Sequence, residues 1–479
     1  MKSNINLKIL PLFALLALLT QYVYGFCISS LFPPIYDCDQ GFFEAIGREW
    51  ANGYIPYLDT WDSKGPIIFF FNMLGYKMGG KSALFWINVI NLFLCLTCFY
   101  VFLRRRLSAA WTIAGIFLSL FTYVVASEGG NQVSDYSLLL CTLSALVFYH
   151  WTEEWEKTDD ASHPWHYAAI YGLFFSASLL SRLSNAVWLC LAMLIVAIML
   201  VRQARWRNLG LNALGFILGF AVLFVPFSLY FAYHGAFGEM WYAMFTYNLE
   251  YASGTFFEHF TDLKVFINSL FHYAPVWLLL GVSLLNLLFT HSHRKQSISL
   301  IIISAGTLFI LYKGYSFPQY GLIEIPLTCL SMVGASRVFS INRFTKVSLL
   351  TIMIVPCIGF IKYTLVYRGY VLHRKAPFMQ ILSGLPPSYK VSFVGYNCKP
   401  DVYMWLGIHP YYRFFVVQDW AISCGKTLLP KVRSTFREGD VEWILVYDYA
   451  TCAIKDILDS RYRVIRQDKT NGFLLFKRK

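Results

Sequence analysis

"YDCDQGFFEAIGREW", residues 36–50, packs Asp37, Asp39, Glu44 and Glu49 into one short run directly after the first apolar segment of the chain. Acid in that place is unusual, because the 479 residues are 57% hydrophobic and only 14% charged. A carboxylate in hydrocarbon is costly, so acids beside a greasy segment are either solvated in a loop or kept for function. Deciding between the two requires knowing where the membrane is.

A mean hydropathy of +0.51 does not suit a soluble enzyme, whose surface needs far more polar residues. The chain reads as an integral membrane protein. Its net charge of +13 does not argue for nucleic acid, since the basic residues stand in short groups between apolar runs, where they orient membrane segments. Eleven cysteines, spread through both apolar and polar stretches, indicate neither a zinc cage nor a disulfide scaffold.

About eleven apolar runs are long enough to cross a bilayer as helices. The first, from Asn6 to about Phe26 with Lys2 and Lys8 at its start, lacks a convincing cleavage site and reads as an uncleaved span with a cytoplasmic N-terminus. The others lie near residues 84–103, 111–126, 134–151, 167–181, 186–201, 210–233, 270–289, 297–312, 319–335 and 347–367. With that start, the cytoplasmic loops receive Arg104 to Arg106, Arg202, Arg205, Arg207, Arg294, Lys295, Arg337, Arg343 and Lys346, as the excess of inside positive charge requires. One predicted cytoplasmic loop, residues 152–166, is acidic instead.

The same count puts residues 27–83, 127–133, 234–269 and everything beyond about Gly369 on the outer face. "PIIFFFNMLGYKMGG", residues 66–80, is too short to cross and reads as an interfacial helix. The tail, residues 370–479, alternates β-rich runs such as "KVSFVGY", "YRFFVV" and "EWILVYD" with helical stretches, and the runs flanking "DKTNG" read as a hairpin. The expected architecture is a polytopic α-helical domain over 1–369, with 27–83 as its catalytic outer loop, followed by a small outer α/β domain. In an oxidising compartment one disulfide among Cys398, Cys424 and Cys452 is possible, with the pair left open.

Beyond the opening acids, "GYIPYLDTWDSKGP", residues 53–66, adds a tight turn, Asp59, Asp62 and Lys64. These residues together resemble the first outer loop of the C-type integral-membrane glycosyltransferases, the family 39 or RgtA/B/C/D-like group that includes aminoarabinose transferases and protein O-mannosyltransferases. Asp39 falls on the family's acidic position, with Gln40 where Glu is usual; Gly53, Pro56, Tyr57 and Asp59 match its G-x-x-P-Y-x-D, and Asp62, Lys64 and Pro66 its D-x-K-x-P. "EGGNQVSDYSLLL" resembles the family's second acidic segment through Asp135, "LLSRLSNAVWL" its arginine segment through Arg182, and "YSFPQYGLIEIPL" a later segment with Gln319 replacing a frequent His.

The resemblance implies a GT-C fold and transfer of a hexosyl or pentosyl group from a polyprenyl-phosphate sugar to a lipid, glycan or protein acceptor, at the periplasmic face of a bacterial inner membrane. It assigns catalysis to a first-loop aspartate. A positioned carboxylate suits that role, since it can take the proton of the attacking acceptor hydroxyl while positive charge holds the leaving phosphate. Asp39 is the expected base and Asp37 the reserve. Asp135 is expected to orient the acceptor or, with Asp39, to hold a divalent metal ion. Lys64, Arg182 and Lys313 are the candidates for the donor phosphate, and Tyr57, Asp59, Asp62, Gln319 and Tyr320 for substrate contacts. Glu44 and Glu49 read as part of the helix that presents the aspartates. A flippase for lipid-linked sugars and an oligosaccharide polymerase or ligase are the rival readings.

Overall fold

The structure, a computed structural model, describes residues 6–252, 263–290, 293–311, 317–339, 376–425 and 427–479. It divides into two units. The first comprises residues 1–31, 84–229 and 255–368, and the second residues 32–83, 230–254 and 369–479.

The first unit is a bundle of α1 (Leu10–Tyr24), α4 (Lys81–Arg104), α5 (Ala109–Ser127), α6 (Leu138–Thr158), α7 (Trp165–Leu179), α8 (Val187–Arg202), α9 (Trp206–Tyr233), α12 (Leu263–His272), α13 (Ala274–Phe289), α14 (Arg294–Leu311) and α15 (Ile325–Val338). α4 and α9 run on into the second unit. Among the described residues seven helices are long and apolar enough to cross a membrane, and α13 is a shorter apolar one. The protein is a membrane protein with an α-helical fold, but these seven do not establish a count of eleven. The run at 347–367 lies outside the described residues.

Two predicted spans differ in shape from a continuous helix. The run at 270–289 breaks at Tyr273, because Pro275 sits in the first turn of α13 and cannot donate the hydrogen bond that would continue α12. The run at 319–335 begins as a 3-10 helix, Pro318–Glu324, and becomes α-helical only where Pro326 opens α15. Close packing in the bundle uses glycine: a Cβ on Gly219 of α9 would stand 1.9 Å from the Ala169 carbonyl oxygen of α7. Only hydrogen fits there, as small residues at helix interfaces in membranes allow.

The acidic stretch 152–166 has a structural explanation. Glu153 takes three hydrogen bonds of 2.6 to 3.0 Å from Arg106, with Arg337 3.7 Å away; Glu156 accepts from the Gln296 backbone at 2.9 Å; Asp159 pairs with Lys295 and Asp160 with Arg205. These acids neutralise the basic residues of neighbouring loops. Burial raises the Glu153 carboxyl, but hydrogen bonds from His150 and Arg106 and the nearby guanidiniums outweigh it and hold the group at about 2. A carboxylate whose folded value lies below its ordinary 4.5 stabilises the fold above that value, and the contribution is lost as pH falls toward 2. Glu153→Gln is therefore expected to lower stability by roughly 2 kcal/mol near neutral pH. Thermal melting in detergent should show the gap between the two proteins closing as pH falls; a gap independent of pH would remove the ion pair as its cause.

The second unit contains α2 (Asp39–Ala51), α3 (Pro66–Lys77), α10 (Phe237–Trp241), a π turn at Tyr242–Thr246, α11 (Tyr247–Ala252) and the tail. α3 has 12 residues, too few to cross a bilayer. It packs on α2, and Gly47 sets the distance, because a Cβ there would come within 2.7 Å of the Asn72 carbonyl carbon. In the tail β1 (Phe393–Tyr396), β2 (Trp443–Tyr447), β3 (Tyr462–Asp468) and β4 (Phe473–Arg478) form one sheet in the order β1-β2-β4-β3. β1 and β2 are parallel; β3 and β4 are the expected antiparallel hairpin, with a bulge between Val464 and Arg466. Helices Leu428–Glu438 and Lys455–Arg461 supply Phe436 and Leu458 to its buried core.

Two tail expectations are corrected. "YRFFVV", residues 412–417, is not a strand: it runs irregularly, with its backbone oxygens taken by Trp61 at Arg413 and by Gln418 at Phe414, while Phe414, Phe415 and Val416 are buried. Nor do the cysteines pair. Cys398, Cys424 and Cys452 are all free, and the Cys398 thiol donates instead to the Leu445 carbonyl at 3.3 Å.

Candidate functional site

The candidate site begins at the N-terminus of α2. Cys38 takes an extended conformation as N-cap and Asp39 is the first helical residue, exposed, where the helix dipole favours a negative charge. Gln40, beside it, is buried. α2 ends before Gly53, and the chain then folds back through a turn held mostly by its own side chains. Tyr57 is buried in a left-handed conformation, φ 72°, with its N–H on the Thr60 carbonyl at 2.6 Å and its hydroxyl donating to the Lys64 carbonyl at 2.8 Å. Asp59 accepts the Ile55 N–H at 2.6 Å. Its carboxylate therefore serves the turn, and Tyr57's hydroxyl does too.

The product of this turn is the pair Asp62 and Lys64. Asp62 accepts the Lys64 backbone N–H at 2.9 Å, and the Lys64 ammonium lies 3.4 Å from the Ser63 hydroxyl. Burial pushes the Asp62 carboxyl up; Lys64 pulls it down, and the charge of Asp39 raises it again. The Asp62 carboxyl thus lies within electrostatic reach of both Lys64 and Asp39. One carboxyl group exposed at a helix tip and one half-buried beside a lysine stand in unequal surroundings, the kind of arrangement acid–base chemistry uses. Asp37 is nearby in sequence, and its carbonyl takes a 2.9 Å hydrogen bond from the Lys399 ammonium of the tail.

Glu44 and Glu49 belong to the buried face of α2. Burial raises Glu44 to about 7 even though Lys81, 3.6 Å away, pulls it down. Glu49 is paired with Arg48 at 2.6 Å and with His409 at 2.6 Å. The Arg48 guanidinium also donates to the Tyr403 and Ile408 carbonyls, and the His409 ring stacks on Tyr54 with 3.7 Å between centroids.

The remaining predicted residues belong to the first unit. Asp135 is fully buried, with one oxygen accepting the Gln132 N–H at 2.8 Å and the other the Tyr123 hydroxyl at 3.2 Å. Among the described residues no three His, Cys, Asp or Glu side chains gather to hold a metal ion. Arg182 lies over the ring of Tyr320, so these two residues, far apart in sequence, are in contact. Gln319, next to Tyr320, has a buried side-chain oxygen without a hydrogen-bond partner among the described residues. Lys313 lies outside the described residues.

Sequence reasoning missed the residues that brace the turn from a distance. Trp61 donates its N–H to the Arg413 carbonyl at 3.0 Å and stands edge-on to Tyr247; Arg413 donates to the Tyr57 carbonyl at 3.2 Å and pairs with Glu239 at 3.2 Å; Asn248 donates to the Ser63 carbonyl at 2.9 Å. The aromatic residues of 237–251 are the one sequence signal near these contacts.

No protein-family model matches the sequence, and no curated protein is significantly similar to it. Solved structures are. ArnT from Cupriavidus metallidurans bound to undecaprenyl phosphate superposes with a TM-score of 0.61 at 13% identity, over 97% of this chain and 97% of that one. The apo form of the same protein gives 0.59 at 14% identity, with the same coverage of both chains. The Archaeoglobus fulgidus oligosaccharyltransferase in its apo form gives 0.55 at 12% identity, over 95% of this chain and 72% of that one. At such identities the likeness is one of fold, and it spans nearly the whole chain: the protein has the GT-C fold, the architecture of the C-type integral-membrane glycosyltransferases.

Proposed function

We propose that the protein is a membrane glycosyltransferase that moves a sugar from a polyprenyl-phosphate carrier to a hydroxyl-bearing acceptor of the cell envelope, with Asp39 as the general base. The observation that carries the reading is the Asp62–Lys64 pair, with Asp39 at the start of α2 within electrostatic reach of Asp62, in a chain with this fold. ArnT was crystallised with undecaprenyl phosphate, which supports a lipid-linked donor here. Asp39, exposed at the helix tip, accepts the acceptor's proton as its oxygen attacks the anomeric carbon; the carbon–phosphate-oxygen bond breaks, and Lys64 stabilises the charge left on the phosphate. Asp62 keeps Lys64 oriented. Arg182, held on the Tyr320 ring, is the second cation for the donor, and Gln319 with its free oxygen is a hydrogen-bond acceptor for substrate. Asp37 contributes through the loop that Lys399 holds.

The flippase reading draws on one observation, the Glu324 carboxyl, which is buried in an apolar helix with neither oxygen hydrogen-bonded among the described residues. A single assay separates the two. Proteoliposomes of the full chain are given a panel of polyprenyl-phosphate sugars, and both the consumption of donor and its movement between leaflets are followed. Protein-dependent loss of sugar from one donor, with polyprenyl phosphate as the second product, is the expected result. Movement between leaflets without consumption overturns it.

A further inference from the structure

The turn that carries Asp62 and Lys64 is held by a segment nearly two hundred residues away. Residues 242–246 form a π turn, a rare conformation that recurs at functional sites. One turn on, the Asn248 amide nitrogen reaches three carbonyls: Ala243 at 2.9 Å and Met244 at 3.0 Å within its own segment, and Ser63 at 2.9 Å across to the other. Ser63 is the residue between Asp62 and Lys64 and is itself buried. Its neighbour Trp61 is packed between Tyr247 and Phe414, with ring centroids 5.0 and 5.2 Å away. The other end of the same turn is tied by Arg413 at the Tyr57 carbonyl.

We propose that Asn248 is a positioning residue for the candidate site: by holding the Ser63 carbonyl it fixes the Asp62–Ser63–Lys64 turn, and with it the Asp62 carboxyl and the Lys64 ammonium, against Asp39. The inference rests on the glycosyl-transfer reading for its catalytic consequence, but the brace itself does not. A loosened turn leaves the fold standing on the Trp61, Tyr57 and Arg413 contacts, while Asp62 gains solvent and loses its fixed distance to Asp39 and Lys64. Displacement of a reacting group by about 1 Å costs as much as 100-fold in rate.

The test uses the full-length protein in detergent or proteoliposomes and two readouts. The first is carboxyl labelling with a water-soluble carbodiimide and an amine, read by mass spectrometry as a function of pH. In Asn248→Ala, Asp62 should label several-fold faster, with a labelling midpoint at lower pH as the carboxyl regains water; exposed Asp440 serves as control and should not change. The groups that face Asp62 and enter this titration are Asp39, Lys64, Tyr57 and Tyr247. The second readout is transfer from the donor found in the panel, where kcat should fall roughly tenfold to 100-fold with KM little changed. Asn248→Gln keeps the amide donor at a longer reach and should recover part of both effects; it supplies the same comparison if the alanine variant is not recovered folded. Unchanged Asp62 labelling in both variants overturns the proposal, as does faster labelling with kcat unaltered. If wild type consumes no donor, the glycosyl-transfer reading fails, and the labelling alone decides whether Asn248 holds the turn.

Discussion

Asp39→Asn is expected to reduce sugar transfer from the polyprenyl-phosphate donor by about 10²- to 10⁴-fold, the range that general-base catalysis contributes. The substitution is nearly isosteric, so it removes the proton acceptor and leaves the shape of the helix tip. Its effect on folding is small. Asp39 is exposed, and loss of its charge at the N-terminus of α2 gives up about 0.3–1 kcal/mol of dipole interaction. Donor binding should also be nearly retained, because Lys64, Arg182 and the turn are untouched, so the loss should fall on kcat. Asp62→Asn is the informative companion: it removes the group that orients Lys64, and both KM and kcat should move. The measurement is transfer at saturating and limiting donor, alongside a melting curve for each variant. Transfer by Asp39→Asn at the wild-type rate would take Asp39 out of the mechanism and pass the question to Asp37.

What the sequence could reveal about this site was local. The acids, the turn signal at Gly53 to Asp59 and the Asp62–Lys64 spacing are short-range features whose chemistry follows from residue type, and the apolar runs announced the helices by length alone. Even so, Asp59 and Tyr57 looked like substrate contacts, and their polar atoms close the turn on the Ile55 N–H and the Lys64 carbonyl. Residue type says that a group can hydrogen-bond, not that a backbone partner four or seven residues away will claim it. Asp135 shows the same limit, since its burial under Tyr123 depends on how α5 and α6 pack. The strand expected at 412–417 failed because its β-forming residues are buried for another reason: they cover Trp61 and Tyr403 rather than joining the sheet. The braces at Asn248, Glu239 and Arg413 are contacts between segments far apart in sequence, and one sequence carries no record of such pairings.

The largest effect on stability is expected at Glu49, in Glu49→Ala. Glu49 and Arg48 are 1% and 7% exposed, and the carboxylate takes Arg48 on one oxygen, at 2.7 Å from Nε, and His409 on the other. Removing the acid leaves a buried guanidinium with only the Tyr403 and Ile408 carbonyls. Breaking a buried pair from one side typically costs about 3–5 kcal/mol, most of it the uncompensated charge. Since both carbonyls lie in the tail and Glu49 lies on α2, the damage should centre on residues 401–409, visible as earlier protease cleavage there and a lower melting temperature. The cause can be separated from simple loss of contacts. If the stranded charge is responsible, Arg48→Met combined with Glu49→Leu should be more stable than Glu49→Ala alone, because a buried ion pair replaced by apolar groups of similar volume is often near neutral. A double variant at least as unstable as the single one would assign the loss to the hydrogen bonds that Arg48 makes to the tail, and the pair would then be valued for connectivity rather than for charge.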